Sequence, residues 1–133
     1  MYQITAVFNK ANLNDVLQEL YDNHIEGVTL SDVIGKGGLG FTEANGATDL
    51  YEKVMAVIVV SDDKHKEVAM EAIRANCQDL GNGAGKMWVT PVLEVERIRT
   101  GEKNESALSQ SAPPRSKIRL KTTEFTAIDT PSS

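Results

Sequence analysis

Gly81-Asn82-Gly83-Ala84-Gly85-Lys86 is the chain's densest set of groups suited to holding an anion, and Arg97-Ile98-Arg99-Thr100-Gly101-Glu102 follows shortly after it. Closely spaced glycines expose backbone N–H groups, because no Cβ stands in the way and unusual φ angles cost little. Lys86 adds a point charge, and the two arginines add guanidinium forks. Gly83, Gly85, Lys86, Arg97 and Arg99 are therefore candidate contacts for a phosphate or nucleotide. The competing reading is a flexible turn ahead of an edge strand. A P-loop requires Ser or Thr after Gly-Lys and then a helix, whereas Met87 follows Lys86 and opens the strand-like run Met87-Trp88-Val89. A dinucleotide fingerprint needs a helix at the same place and is excluded for the same reason.

The elements that would position these residues follow from periodicity. Tyr2 to Phe8 alternates and is rich in β-formers, so it reads as a strand. Leu13, Val16, Leu17 and Leu20 have helical spacing, with Asn12 as a candidate N-cap. Glu26 to Ile34 and Lys53 to Val60 read as strands. Asp62 or Asp63 can cap a helix running to about Ala75 with Val68, Ala69, Ala72 and Ile73 on its apolar face, and a last strand is expected from Met87 to Arg99. The order β-α-β, β-α-β predicts an α+β, ferredoxin-like βαββαβ double repeat. Gly27-Val28-Thr29 in the first half matches Gly85-Lys86-Met87 in the second. Pro91 is tolerable only on an edge strand or bulge, which is where this topology puts the last strand. That strand is partly apolar on both faces (Met87, Val89, Leu93 and Val95; Trp88, Val92 and Ile98), which points to oligomerisation.

Two segments fall outside this core. The connection 36–52 contains Gly37, Gly38, Gly40 and Gly46 and is longer than a hairpin needs, so a functional loop is expected there. The domain is expected to end at 104, leaving 105–133 as a flexible C-terminal extension whose stretch 106–114 has linker composition. Arg115-Ser116-Lys117-Ile118-Arg119-Leu120-Lys121 reads as a solvated tail or as a basic strand that adds to a sheet edge or meets an acidic partner.

With 133 residues the chain is expected to hold one domain, and 41% hydrophobic residues suffice for a core that the 5% aromatic share makes aliphatic. A formal charge of −5 argues against general nucleic-acid affinity. The single cysteine, Cys77, cannot form an internal disulfide and fits a reducing cytoplasm. The start Met1-Tyr2-Gln3-Ile4 shows no signal peptide, and no apolar run approaches the ~18 residues of a membrane span. The expectation is a cytoplasmic domain without membrane insertion.

Over residues 1–105 the chain resembles the PII family of signalling proteins. The resemblance rests on Gly27-Val28-Thr29, Gly35-Lys36-Gly37, Lys53-Val54, Val57 to Val60 with Asp62-Asp63, Gly83-Ala84-Gly85-Lys86 and Arg97 to Glu102. It implies a compact homotrimer that binds adenine nucleotides (ADP, AMP or ATP) in clefts between subunits. It also implies a T-loop, 36–52, whose shape follows nucleotide state and selects a protein target. By the same resemblance Gly83, Gly85 and Lys86 hold the phosphates, Arg97 and Arg99 reach them from the neighbouring subunit, and Thr29 with the backbone around Gly27 and Val59 surrounds adenine. Gly35, Gly37 and Gly38 open the loop over the phosphates. Nitrogen-regulating members carry a Gln for Mg-ATP and 2-oxoglutarate where this chain has Leu39, which offers no side-chain oxygen to a hard cation. The loop is about five residues shorter than theirs, and Tyr51 aligns nearer the base of the next strand than the modified T-loop tyrosine.

These departures lead to the expectation of a divergent PII-like regulator, with Lys36 and Lys53 as candidate contacts for a small anion such as bicarbonate in carbon metabolism. The alternative is a nitrogen-regulatory PII protein sensing ATP/ADP and 2-oxoglutarate. An enzyme would need a positioned base and usually a metal, and the carboxylates Glu43, Asp49 and Glu52 all fall in the loop, so no enzyme is expected. A related trimeric metal-binding protein is a further alternative. Its soft ligands would be His24, His65 and Cys77, but they lack a ligand spacing. His24 is expected at a helix end, His65 at an exposed helix start, and Cys77 buried or half-buried, so no metal cofactor is predicted.

Overall fold

A computed structural model describes residues 1–35, 51–78 and 84–108, with Tyr51 described by its backbone alone. Expectations for Lys36, Gly37, Gly38, Leu39, Gly83 and the basic tail lie outside these residues. The elements are β1 (Tyr2–Asn9), a 3-10 turn (Lys10–Asn12), α1 (Leu13–Asp22), β2 (Val28–Gly35), β3 (Tyr51–Val60), α2 (Asp63–Asn76), β4 (Gly85–Pro91) and α3 (Glu105–Leu108). The four strands form one antiparallel sheet in the order β2-β3-β1-β4. This is the ferredoxin-like arrangement, with β2 and β4 at its edges.

Alternation along the strands decides what is buried. Ile4, Ala6 and Phe8 of β1 and Val54, Ala56, Ile58 and Val60 of β3 turn to one face and form a core with Val16 and Leu20 of α1 and Ala69, Ala72 and Ile73 of α2. Burying a side chain such as Ile4, Leu20 or Ile58 contributes about 1.5–3 kcal/mol. The core is aliphatic as expected, with Phe8 among its largest fully buried side chains.

The helix ends show which local signals operate. α1 closes with Ile25 N–H donating to Leu20 O at 2.9 Å and His24 N–H to Tyr21 O at 3.0 Å, while His24 takes φ +66°. This pair of bonds is a Schellman closure, and His24 stands where glycine is usual. At the other end of α1, Asn12 makes no capping bond and its buried Nδ2 has no hydrogen-bond partner, because the 3-10 turn already leads the chain into the helix. Asp62 is the cap of α2. Its Oδ1 accepts from His65 N–H and lies 2.8 Å from His65 Nδ1 as well. His65 is therefore buried, at 3% exposure, and not at an exposed helix start. The cap draws its imidazole inward.

The last strand is shorter than expected. β4 ends at Pro91, opposite Tyr2, because its partner β1 has run out there, and the final bond is Val92 N–H to Met1 O at 3.0 Å. Leu93 and Ile98, expected to alternate on strand faces, are instead 94% and 96% exposed. β2 starts at Val28, two residues later than expected. β3 starts at Tyr51, so Tyr51 and Glu52 belong to the strand and not to the loop.

Partial burial pushes the Asp62 carboxyl up, but hydrogen bonds from the His65 backbone and ring, with the nearby Lys64 charge, hold it below the usual carboxylate range on balance. A carboxyl depressed in the folded state stabilises above its unfolded pKa, and that contribution is lost as pH falls through the folded value. Asp62→Ala should cost about 1 kcal/mol at neutral pH. Urea titrations should show the gap between the two proteins narrowing in acid; a gap independent of pH would refute the cap's electrostatic part.

Candidate functional site

Strand register sorts the predicted site residues into two groups. At one end of the sheet, Gly35 closes β2 opposite Tyr51, Lys53 lies between Asn9 and Val33, and Gly85 opens β4 opposite Phe8 with Lys86 next to it, opposite Val7. Toward the other end, Gly27 precedes β2 and Val59 faces Gln3, while Thr29 faces Val57 in the middle of the sheet, in the row of Thr5. Arg97 and Arg99 lie beyond the far end of β4. From Lys86 to Pro91 alone, five steps of extended chain cover ~17 Å, so β4 carries the chain away from Lys86 before either arginine is reached. Lys86 and the arginines, grouped by charge in the sequence, are held apart within one chain.

Gly85 shows why a glycine is needed at the start of β4. Its φ is +110°, and a Cβ built there would overlap Val7 O and stand 2.9 Å from Phe8 Cα. The close approach to β1 leaves no room for a side chain, and Lys86 beside it is exposed. Across the sheet, Lys53 is 5% exposed, and a Cβ on Gly35 would lie 3.5 Å from Lys53 Cγ, in ordinary contact. A cavity of about 300 Å³ adjoins it, lined by Lys10, Asp32, Val33, Ile34, Glu52 and Lys53. Lys10 Nζ is 3.0 Å from Asp32 Oδ1, and the hydrogen bond and charge of Asp32 raise the pKa of the Lys10 ammonium. Lys10 was not singled out in the sequence, since it belongs to no motif and only the pairing of β1 with β3, which sets Asn9 opposite Lys53, brings it there. Glu52, read in the sequence as a loop carboxylate, lies beside Lys53 on β3.

Beyond β4 the chain turns back on itself. Arg97 N–H donates to Glu102 O at 2.8 Å, Gly101 N–H to Arg97 O at 2.7 Å, and Asn104 N–H to Val95 O at 2.8 Å. Gly101 takes φ +78° at this turn. The Arg97 side chain is 21% exposed, with Nε 3.4 Å from Glu102 Oε1 and Nη2 donating to Ala107 O at 2.7 Å. Arg99 is exposed. Lys103 holds Glu94 at 2.8 Å, which lowers the Glu94 pKa through the hydrogen bond and the charge.

The sheet face away from the core carries Val7, Met55, Val57 and Val59, all half-buried, with Trp88 45% exposed. His24, His65 and Cys77 lie at a helix end, in a helix cap and in the core. Among the described residues no group of three or more His, Cys, Asp or Glu is placed to hold a metal ion, and no helix is long and apolar enough to cross a membrane.

Known proteins resemble this chain in sequence and in fold. Residues 1–102 match the family described as nitrogen regulatory protein P-II. Nitrogen regulatory protein P-II 1 of Methanothermobacter thermautotrophicus is 40% identical over 113 residues, covering 81% of this chain and 97% of that protein. Nitrogen regulatory protein P-II of Azospirillum brasilense is 35% identical over 117 residues, covering 81% of this chain and all of that protein. Among solved structures, a complex of B. subtilis GlnK with ATP superposes with a TM-score of 0.67 at 29% identity, covering 80% of this chain and 94% of that one.

The crowding at Gly85 yields a test of the site's frame. Gly85→Ala should destabilise the fold by about 1–3 kcal/mol from backbone strain, with a further cost for displacing β1. The readout is the urea midpoint, and a parent-like midpoint would show that β4 can open without this close approach.

Proposed function

The chain belongs to the nitrogen regulatory protein P-II family, and from that membership we propose that it binds adenine nucleotides in clefts between copies of itself and relays nucleotide state to a protein target. P-II proteins are regulators and not enzymes, and this chain is a P-II signal-transduction protein. The observation that carries the nucleotide reading is the separation of the two charged groups. Gly85 and Lys86 lie at one end of the sheet and would hold the phosphates, with Gly83 as a further candidate from the sequence. Arg97 and Arg99 form the other half at the opposite end, with Gly27 and Val59 toward that end and Thr29 at mid-sheet for adenine. Two unlike halves at opposite ends of one protomer complete each other when copies associate head to tail, and such an interface closes into a ring if the rotation allows. A homotrimer is the ring we propose. The half-buried valines and exposed Trp88 on the uncovered face favour association, and so do Leu93 and Ile98 beyond β4. The solved complex of GlnK with ATP supports the ligand class.

Gly35, Gly37 and Gly38 would begin the loop that closes over the phosphates and meets the target. For the second effector we place a small anion at Lys53, with Lys36 as the second candidate contact. The relatives carry nitrogen regulation in their names, which favours 2-oxoglutarate over bicarbonate and a nitrogen-side role over carbon metabolism. The proposed localisation is cytoplasmic.

Calorimetric titration with ADP, AMP and Mg-ATP, repeated with 2-oxoglutarate and with bicarbonate, tests the ligands. Lys86→Ala should weaken ADP binding about tenfold or more, since one charge-assisted contact contributes about 1.5–3 kcal/mol. Co-assembly of Lys86→Ala with Arg99→Ala chains should restore a fraction of full-affinity sites, because some clefts then join two intact halves. No restoration would place each site within one chain, and no nucleotide binding by the parent would remove the proposal.

A further inference from the structure

Arg97 is not an open phosphate ligand in this chain. The hairpin of 94–104 fixes its backbone on both sides, and its side chain folds over that hairpin to the start of the C-terminal extension. There α3, Glu105–Leu108, is set by two features. Asn104 takes φ +56° and turns the chain into the helix, and Ala107 N–H donates to Asn104 O at 2.9 Å. Asn104 is itself held to Val95, accepting from Val95 N–H at 3.2 Å through Oδ1. The carbonyl of Ala107 is thereby presented to Arg97 Nη2 at 2.7 Å. The extension thus begins as a docked turn whose long-range side-chain hydrogen bond is to Arg97.

A guanidinium has a fixed fork of donors, and the pair it offers to a carboxylate or phosphate includes the Nη atoms. A phosphate oxygen is charged and accepts more strongly than a neutral carbonyl. Phosphate and the Ala107 carbonyl therefore compete for the Nη2 edge, while Nε remains beside Glu102. We infer that α3 is a latch on Arg97 which nucleotide phosphate displaces, so that nucleotide binding releases the C-terminal extension and the docked extension weakens nucleotide binding. This rests on the reading that Arg97 meets the phosphate. Its consequence is a second output besides the T-loop. The basic stretch Arg115 to Lys121 lies further along the same extension, beyond Pro113 and Pro114, and its access to a partner would follow nucleotide occupancy. Linkage makes the coupling reciprocal: whatever factor ADP contributes to release, release contributes to ADP affinity.

The experiment is hydrogen exchange of the full-length protein across 97–108, with and without saturating ADP, alongside calorimetric ADP titration of the parent and two full-length variants. ADP should speed exchange at the Ala107 amide. Ala107→Pro removes that amide and drives Ser106 out of helical geometry, so it should bind ADP about fivefold tighter or more. Arg97→Ala should speed exchange at Ala107 without nucleotide and abolish any further effect of ADP there. This arm holds even if Ala107→Pro fails to fold. If ADP binds the parent yet leaves exchange at Ala107 unchanged, the latch is wrong and the nucleotide reading stands. If neither the parent nor Ala107→Pro binds ADP, the nucleotide reading falls and the latch falls with it.

Discussion

The pairing of β1 with both β3 and β4 is the constraint on which the rest of the structure depends. β1 is the first strand of the chain and lies inside the sheet, so the residues from Tyr2 to Phe8 carry ladders on both sides. A period of two then forces Ile4, Ala6 and Phe8 under the helices and Thr5 and Val7 onto the other face. The same ladders set where β4 begins and ends. Gly85 must pass close to Val7 and Phe8, and the strand stops at Pro91 because β1 has no residue left to pair.

From that follows the division of the anion-binding groups. The two halves of the repeat cross the sheet in a way that puts the start of β4 at Gly85 and the end of β2 at Gly35 at one end. The entry to β2 and the exit from β4 lie at the other. On the proposed reading, one protomer therefore displays two incomplete sets of ligands. Arg97 and Lys86 are close in sequence, but the rigid rise of a strand separates them. A site shared between copies makes ligand binding and assembly part of one linkage, because each cleft depends on the contact that creates it.

Electrostatics in this structure act mostly through placement. The exposed pairs Lys10–Asp32 and Lys103–Glu94 contribute little stability individually. Lys103 still links Glu94 across the hairpin that carries Arg97, and Asp32 holds Lys10 at the rim of the cavity beside Lys53. Asp62 differs, since it meets a helix N–H and the Nδ1 of a buried imidazole together. His65 is drawn into the interior by that carboxylate, and neither residue's type announces it.

The order of elements, the aliphatic core and the α2 cap were legible in the sequence because each rests on local periodicity or a local hydrogen bond. The glycines and charged residues of the candidate site were legible as chemistry for the same reason, since residue type alone determines charge and backbone freedom. Where β4 ends was not legible: Leu93, Val95 and Ile98 continue an apolar pattern, and only the exhaustion of β1 as a partner stops the strand. The burial of His65, the cavity at Lys53 and the contact between Arg97 and Ala107 likewise came only with the tertiary structure. Each joins side chains through a ladder, a cap or a reversed chain, and one-dimensional spacing carries no record of which groups such a turn brings within a few ångströms.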